Sequence, residues 1–161
     1  SILEIGRTEE AQFEQAKNID LVEFIKYKTN DYNMLAAKKS ITIKFSSNVF
    51  SFQIIIQETL FNQILQNFVQ NAIKFTPNGK TIKIKLKKID DKVILNVIDE
   101  GIGIDENIDV FAPFKKVGKE NGVGLGLYLA KIASDALNAK ISIKNREDGK
   151  TGAIAKLELT L

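Results

Sequence analysis

Asn67-Phe68-Val69-Gln70-Asn71-Ala72-Ile73-Lys74-Phe75 is the stretch on which the fold turns. Its apolar residues at 68, 72 and 75 continue a stripe begun by Leu60, Ile64 and Leu65, the spacing of a helix with one buried face, and Pro77-Asn78-Gly79 ends it. The spacing predicts a helix over Thr59–Phe75. Asn67 and Asn71 lie four apart, so their amides stack on one side of that helix, with Lys74 nearly in line. A neutral amide oxygen is a hard ligand that can join water and phosphate oxygens around Mg²⁺, and a lysine can meet phosphate as a point charge. Taken alone, these three residues describe an ordinary solvated helix face.

Downstream residues change that. Thr81–Ile89 and Lys92–Ile98 alternate like two strands joined at Asp90-Asp91, and Asp99-Glu100-Gly101-Ile102-Gly103-Ile104 falls where the second strand ends. A carboxylate there can accept a hydrogen bond from the exocyclic amine of adenine, where guanine would present a carbonyl, and the glycines let backbone approach a base closely. The stretch 99–121 has no sustained period and reads as a long functional loop. Gly122-Val123-Gly124-Leu125-Gly126 then opens a helix expected over 122–137. Glycines at that position free the first amides of a helix to cradle a phosphate. Neither the P-loop pattern nor the context of a dinucleotide fingerprint is present. Lys140–Lys144 and Ala153–Thr160 finish the chain as strands around a turn at Glu147–Gly152.

Upstream, apolar residues from Thr8 to about Lys39, Phe13 among them, recur at roughly helical spacing with a break near Asn18–Asp20. A helix is expected over Val22–Lys38. Ile41–Phe45 and Phe50–Ile56 alternate as strands and suggest a hairpin across Ser46-Ser47-Asn48. The order of elements specifies an α+β two-layer sandwich, a mixed sheet of about five strands covered on one face by about three helices.

Composition sets bounds. The 161 residues, 44% hydrophobic and 27% charged, suit one domain with one core and exclude a disordered tail. No apolar run approaches the roughly 18 residues of a membrane-spanning helix. With no cysteine, thiolate metal sites and disulfides are excluded, and a cytoplasmic-type compartment is the natural expectation. A net charge of +3 with only Arg7 and Arg146 as arginines does not point to nucleic acid. Lys83, Lys85 and Lys87 alternate with apolar residues, which ordinarily means a strand face turned to water.

The elements agree in order and context, and together they resemble the ATP-binding family shared by histidine kinases, gyrase, the large heat-shock chaperones and mismatch-repair ATPases, often called the Bergerat fold. Residues 67–75 are similar to its asparagine box and 99–104 to its first glycine box. Phe111-Ala112-Pro113-Phe114 is similar to its phenylalanine box and 122–126 to its second glycine box. The resemblance implies an ATP lid between the glycine boxes and a site for ATP and Mg²⁺. In it Asn71 binds the metal, Asp99 reads adenine, and Phe75 lines the pocket. Lys74, Gly101, Ile102, Gly103, Ile104 and Phe114 are implied nucleotide contacts, as are Gly122, Val123, Gly124, Leu125 and Gly126. Lys116 stands where many relatives direct an arginine at the terminal phosphate. Val123 replaces a frequent threonine or serine and Ala112 a frequent glutamate.

Within that family the hydrolysing branches place a glutamate four residues before the magnesium asparagine; here Asn67 stands there and cannot take a proton from water. The chain is therefore identified with the histidine kinase branch, and Asn67 and Lys116 become the implied catalytic residues. The chain has no histidine. The phosphoacceptor must then lie on a separate dimerisation domain, from which the phosphoryl group passes to a response regulator. Residues 1–8 are expected to be the end of a dimerisation helix and 9–161 the catalytic domain. The expected fragment is monomeric, free of nucleic acid and membrane, from a homodimeric parent whose membrane anchoring the sequence leaves open. The alternative is a nucleotide-binding pseudokinase or protein-interaction module of the same fold.

Overall fold

The computed structural model describes residues 2–114 and 125–161. Helix α1 (Ile2–Ala11) is followed by strand β1 (Lys17–Asp20), helix α2 (Leu21–Ala36) with a 3₁₀ turn at Ala37–Lys39, strands β2 (Thr42–Ser47) and β3 (Gln53–Ile56), and helix α3 (Glu58–Phe75). The chain continues through β4 (Thr81–Ile89), β5 (Lys92–Ile98), α4 (Gly126–Ala136), β6 (Lys140–Asn145) and β7 (Ala153–Thr160). A mixed five-stranded sheet in the order β2-β4-β5-β7-β6 forms one layer and the helices the other. The expected sandwich is present.

Period-two patterning decides which side of the sheet is covered. Ile82, Ile84 and Leu86 of β4, Val93, Leu95 and Val97 of β5, and Leu157 of β7 are buried against Phe61, Ile64, Leu65 and Phe68 of α3. The helical stripe read from the sequence is the face that fills this core. Asp90, at positive φ (52°), makes the tight turn between β4 and β5, as an acidic residue tolerant of the left-handed region can.

Two local expectations fail. Thr42–Ser47 and Gln53–Ile56 do not pair as a hairpin. β2 runs parallel to β4 at the edge of the large sheet, whereas β3 pairs antiparallel with β1 in a separate two-stranded sheet. Alternation identifies a strand but not its partner, and both segments carry the same pattern. The break near Asn18–Asp20 is itself strand β1, too short at four residues to show a period. Phe13 lies beyond the end of α1 and is 84% exposed, off any helical stripe.

Asp20 joins β1 to α2. Its Oδ1 accepts from the Val22 and Glu23 amides at 2.9 and 3.3 Å as an N-cap, and its Oδ2 accepts from Ser51 Oγ at 2.5 Å. The Ser51 bond is the main reason its pKa lies below the usual value, so its stabilisation is present above the unfolded carboxylate range near ~4 and is lost as pH falls through the lower folded value. Asp20→Ala should destabilise the fold by about 1 kcal/mol, read as a lowered urea midpoint with unchanged m-value. A midpoint within error of the parent would show that the cap contributes nothing.

The free edge of β2 is protected by a side chain. Asn33 of α2 accepts from the Ile43 amide at 2.8 Å and donates to the Ile43 carbonyl at 2.9 Å, so one amide side chain takes the place of a neighbouring strand.

Candidate functional site

The site is assembled where α3, the end of β5 and the start of α4 converge. Asn67 is 7% exposed although polar; its Nδ2 donates to the Gln63 carbonyl at 2.8 Å, which fixes the amide and leaves Oδ1 toward α4. A Cβ on Gly126 would stand 3.3 Å from that Oδ1, so the glycine lets the first turn of α4 approach Asn67 closely. Asn71, one turn along α3, is half-buried, and Phe75 is half-buried at the end of the helix. Lys74 is exposed beside them, and Lys39 Nζ donates to the last-turn carbonyls of Ile73 and Lys74 at 2.7 and 3.2 Å, placing a cation at the negative end of the helix.

Asp99 follows the last residue of β5 and is 5% exposed. Its Oδ1 accepts from the amides of Gly101 and Ala153, both at 2.9 Å, and among the described residues no hydrogen bond reaches Oδ2. One carboxylate oxygen is thus used by the fold, and the other is left with acceptor capacity. Burial lifts its pKa above the ordinary carboxylate value, opposed by those two amides and by the Arg146 guanidinium. Gly101 is required where it stands, because a Cβ there would lie 2.7 Å from the Phe75 carbonyl oxygen. This close approach joins the asparagine helix to the Asp99 loop.

The β6–β7 hairpin supports the loop from behind, a contribution absent from the sequence reading. Asn145 accepts from the Ile104 amide at 2.7 Å and donates to the Ile104 carbonyl at 2.8 Å. The Arg146 guanidinium donates to the Asp99 carbonyl at 3.0 Å and pairs with Asp148 at 2.6 Å, its side chain 8% exposed. Gly152, at φ 131°, lets β7 begin where a Cβ would fall 2.1 Å from the Asp99 carbonyl oxygen. The available signal was the scarcity of arginine, one of only two falling at a strand end before a glycine-bounded turn.

Gly103 takes the left-handed conformation (φ 83°), and Ile104 packs on the core, while Ile102 is 72% exposed. Phe111 packs on the core, whereas Phe114, at φ 63°, is 64% exposed. Leu125 is buried and accepts, through its carbonyl, from the Leu129 amide at 2.8 Å. Lys116, Gly122, Val123 and Gly124 lie outside the described residues. Among the described residues there is no cluster of acidic side chains able to hold a metal alone. Asparagine amide oxygens, with phosphate and water completing the shell, are a donor set that suits Mg²⁺.

Residues 56–161 match the family described as histidine kinase-, DNA gyrase B- and HSP90-like ATPases. The sensor protein KdpD of Clostridium acetobutylicum is 31% identical over 168 residues, covering 99% of this chain but 18% of its own length. The catalytic domain of the histidine kinase ThkA superposes with a TM-score of 0.80 at 30% identity, covering 91% of this chain and 95% of that one. ThkA has also been solved in complex with the response regulator TrrA, at TM-score 0.76 and 28% identity over 90% of this chain and 41% of that one. Full-length ShkA in complex with AMPPNP gives a TM-score of 0.85 at 25% identity, over 98% of this chain and 34% of that one.

Proposed function

The chain belongs to the histidine kinase-, DNA gyrase B- and HSP90-like ATPase family, as a catalytic domain of the histidine kinase type, and from this we propose that it binds Mg·ATP and transfers the terminal phosphoryl group to a histidine on another domain. The observation that carries the proposal is the hydrogen bonding of Asp99. A buried carboxylate with one oxygen held by two backbone amides and the other without a hydrogen bond among the described residues is a preorganised acceptor for the adenine amine. Phe75 and Gly101 bound the base, and the start of α4 receives the phosphates through backbone amides. Mg²⁺, when bound, neutralises phosphate charge; Asn71 is the residue that would hold it.

Phosphoryl transfer needs positioning and charge stabilisation more than proton abstraction. Asn67, fixed by its bond to Gln63, orients a phosphate or the incoming imidazole and has no basic group with which to activate water. Lys116 supplies positive charge to the terminal phosphate in this reading. No histidine exists in the chain, so the acceptor is supplied by a dimerisation domain, for which α1 is the connecting helix, and a response regulator receives the phosphoryl group next. The domain acts as a monomer within a homodimeric, cytoplasm-facing kinase.

Titration calorimetry with a non-hydrolysable ATP analogue should give adenine-selective, Mg²⁺-dependent binding, with the GTP analogue much weaker. Mixing with a histidine-bearing dimerisation fragment and labelled ATP should give phosphohistidine. Nucleotide binding without phosphohistidine under any pairing would instead identify a binding module. Asn71→Ala should make nucleotide affinity the same with and without Mg²⁺. A persisting difference between the two titrations would move the metal elsewhere.

A further inference from the structure

The sheet face away from the helices has a composition unlike the rest of the chain. The strand register sets its side chains in rows running across the sheet. One row reads Lys44, Lys83, Ile98, Ile154, Lys144, and the next Ser46, Lys85, Asn96, Lys156, Ser142. A third reads Lys87, Ile94, Glu158, Lys140, and Lys92 follows beyond it. In these rows eight lysines stand with one glutamate, a net +7 in a chain whose total is +3, so everything else sums to −4; Glu147 and Asp148 of the β6–β7 turn adjoin the face together with Arg146 and Lys150, which balance them. Glu158 is shared between Lys92 and Lys140 at 3.7 and 3.9 Å. Among the described residues the other six lysines form no ion pair.

The arrangement within the rows is as informative as the charge. Half-buried Ile94, Ile98 and Ile154 lie on the middle strands β5 and β7, which also carry Lys92 and Lys156, and the other six lysines lie on β2, β4 and β6 to either side. The Asn96 side-chain oxygen, in the centre, is buried without a partner. We propose that this lysine-rimmed sheet face docks on the surface of a bilayer containing acidic lipids.

Three features favour a lipid surface over a folded partner or a nucleic acid. The hollows on the face are open basins between neighbouring strands, such as that lined by Ser142, Lys144, Glu147, Ile154 and Lys156, and among the described residues none of these is a deep groove for a peptide. The cations of its strand rows are all lysines, flexible point charges suited to a diffuse field, whereas recognition of phosphate or carboxylate in fixed geometry favours the arginine fork; the one arginine at its border, Arg146, is engaged by Asp148 and the Asp99 carbonyl. No aromatic side chain stands in these rows to stack on a base. Isoleucines ringed by lysines match the headgroup boundary, where apolar tips enter and ammonium groups stay in the polar layer. No helix of the described residues is long and apolar enough to cross a membrane. The sequence expectation of no membrane partner excluded a span, and a surface contact revises it. Docking in this way leaves the opposite, helix-covered side, with Asn67 and Asn71, open to solvent and partners.

The test is co-sedimentation with vesicles of 30% phosphatidylglycerol in phosphatidylcholine, against pure phosphatidylcholine, at 0.1 and 0.5 M salt. Expected are binding to the acidic vesicles alone, release at high salt, and at least a tenfold weaker partition for Lys83→Gln/Lys87→Gln/Lys144→Gln, three exposed positions. Circular dichroism and nucleotide affinity of the triple variant should match the parent, which separates a lost surface from a lost fold. No sedimentation with acidic vesicles, or sedimentation indifferent to the three substitutions, would overturn the proposal. So would tighter retention on polyglutamate or DNA than on the vesicles, which would assign the face to a macromolecular polyanion instead.

Discussion

Asp99→Asn should leave the melting temperature nearly unchanged and weaken ATP by roughly ten- to a hundredfold, the equivalent of about 1.5–3 kcal/mol for a hydrogen bond to a charged group. The geometry makes this substitution worse than a neutral loss. Oδ1 already serves two backbone donors, so an amide at position 99 must place its oxygen there and present its NH₂ to the ligand. Donor would then meet donor at the adenine amine. Because burial raises the Asp99 pKa, the parent should lose affinity as pH falls at values above the ordinary aspartate range, where the carboxylate takes up its proton. The Asn variant should be flat across that range. Equal calorimetric affinity of the two proteins at neutral pH would remove Asp99 from the site.

The second large effect is expected at Gly152. An alanine there must adopt φ near 131° with its methyl 2.1 Å from the Asp99 carbonyl oxygen, so β7 or the Asp99 loop has to move. Strain and overpacking together should cost about 2–5 kcal/mol, a fall in melting temperature on the order of 10 °C. Residual folded protein should also bind ATP poorly, since the Ala153 amide that holds Oδ1 is the next group along the chain. Gly149→Ala is the control, with positive φ (80°) but nothing within 4 Å of the new methyl. It should cost only about 1 kcal/mol. Should the two variants melt together, the contact at Gly152 is not what demands glycine.

Helix α3 and the Asp99 loop were legible because their signals are local: an apolar stripe, two amides four residues apart, a carboxylate at a strand end before glycines. What escaped depends on partners far along the chain. Asn33, Asn48 and Asn145 look like surface polarity in the sequence, yet each pairs with a backbone amide and carbonyl elsewhere, at Ile43, Lys88 and Ile104. Nothing local distinguishes such an asparagine from a solvated one. The separation of β2 from β3 was hidden for the same reason, since their partners are β4 and β1, distant in sequence from the turn between them. Arg146 acts through a carbonyl 47 residues away.

The place of β7 between β5 and β6 governs the order in which the molecule can become competent during synthesis. The asparagine helix, Asp99 and both glycine loops all leave the ribosome before the strand whose first amide clasps Oδ1. Until residues 153–160 emerge, Asp99 lacks one of its two backbone donors and β5 has an open edge. A nascent chain, or one cut by a protease in the Glu147–Gly152 turn and stripped of its last strand, should therefore carry every residue proposed to contact nucleotide and still fail to retain ATP.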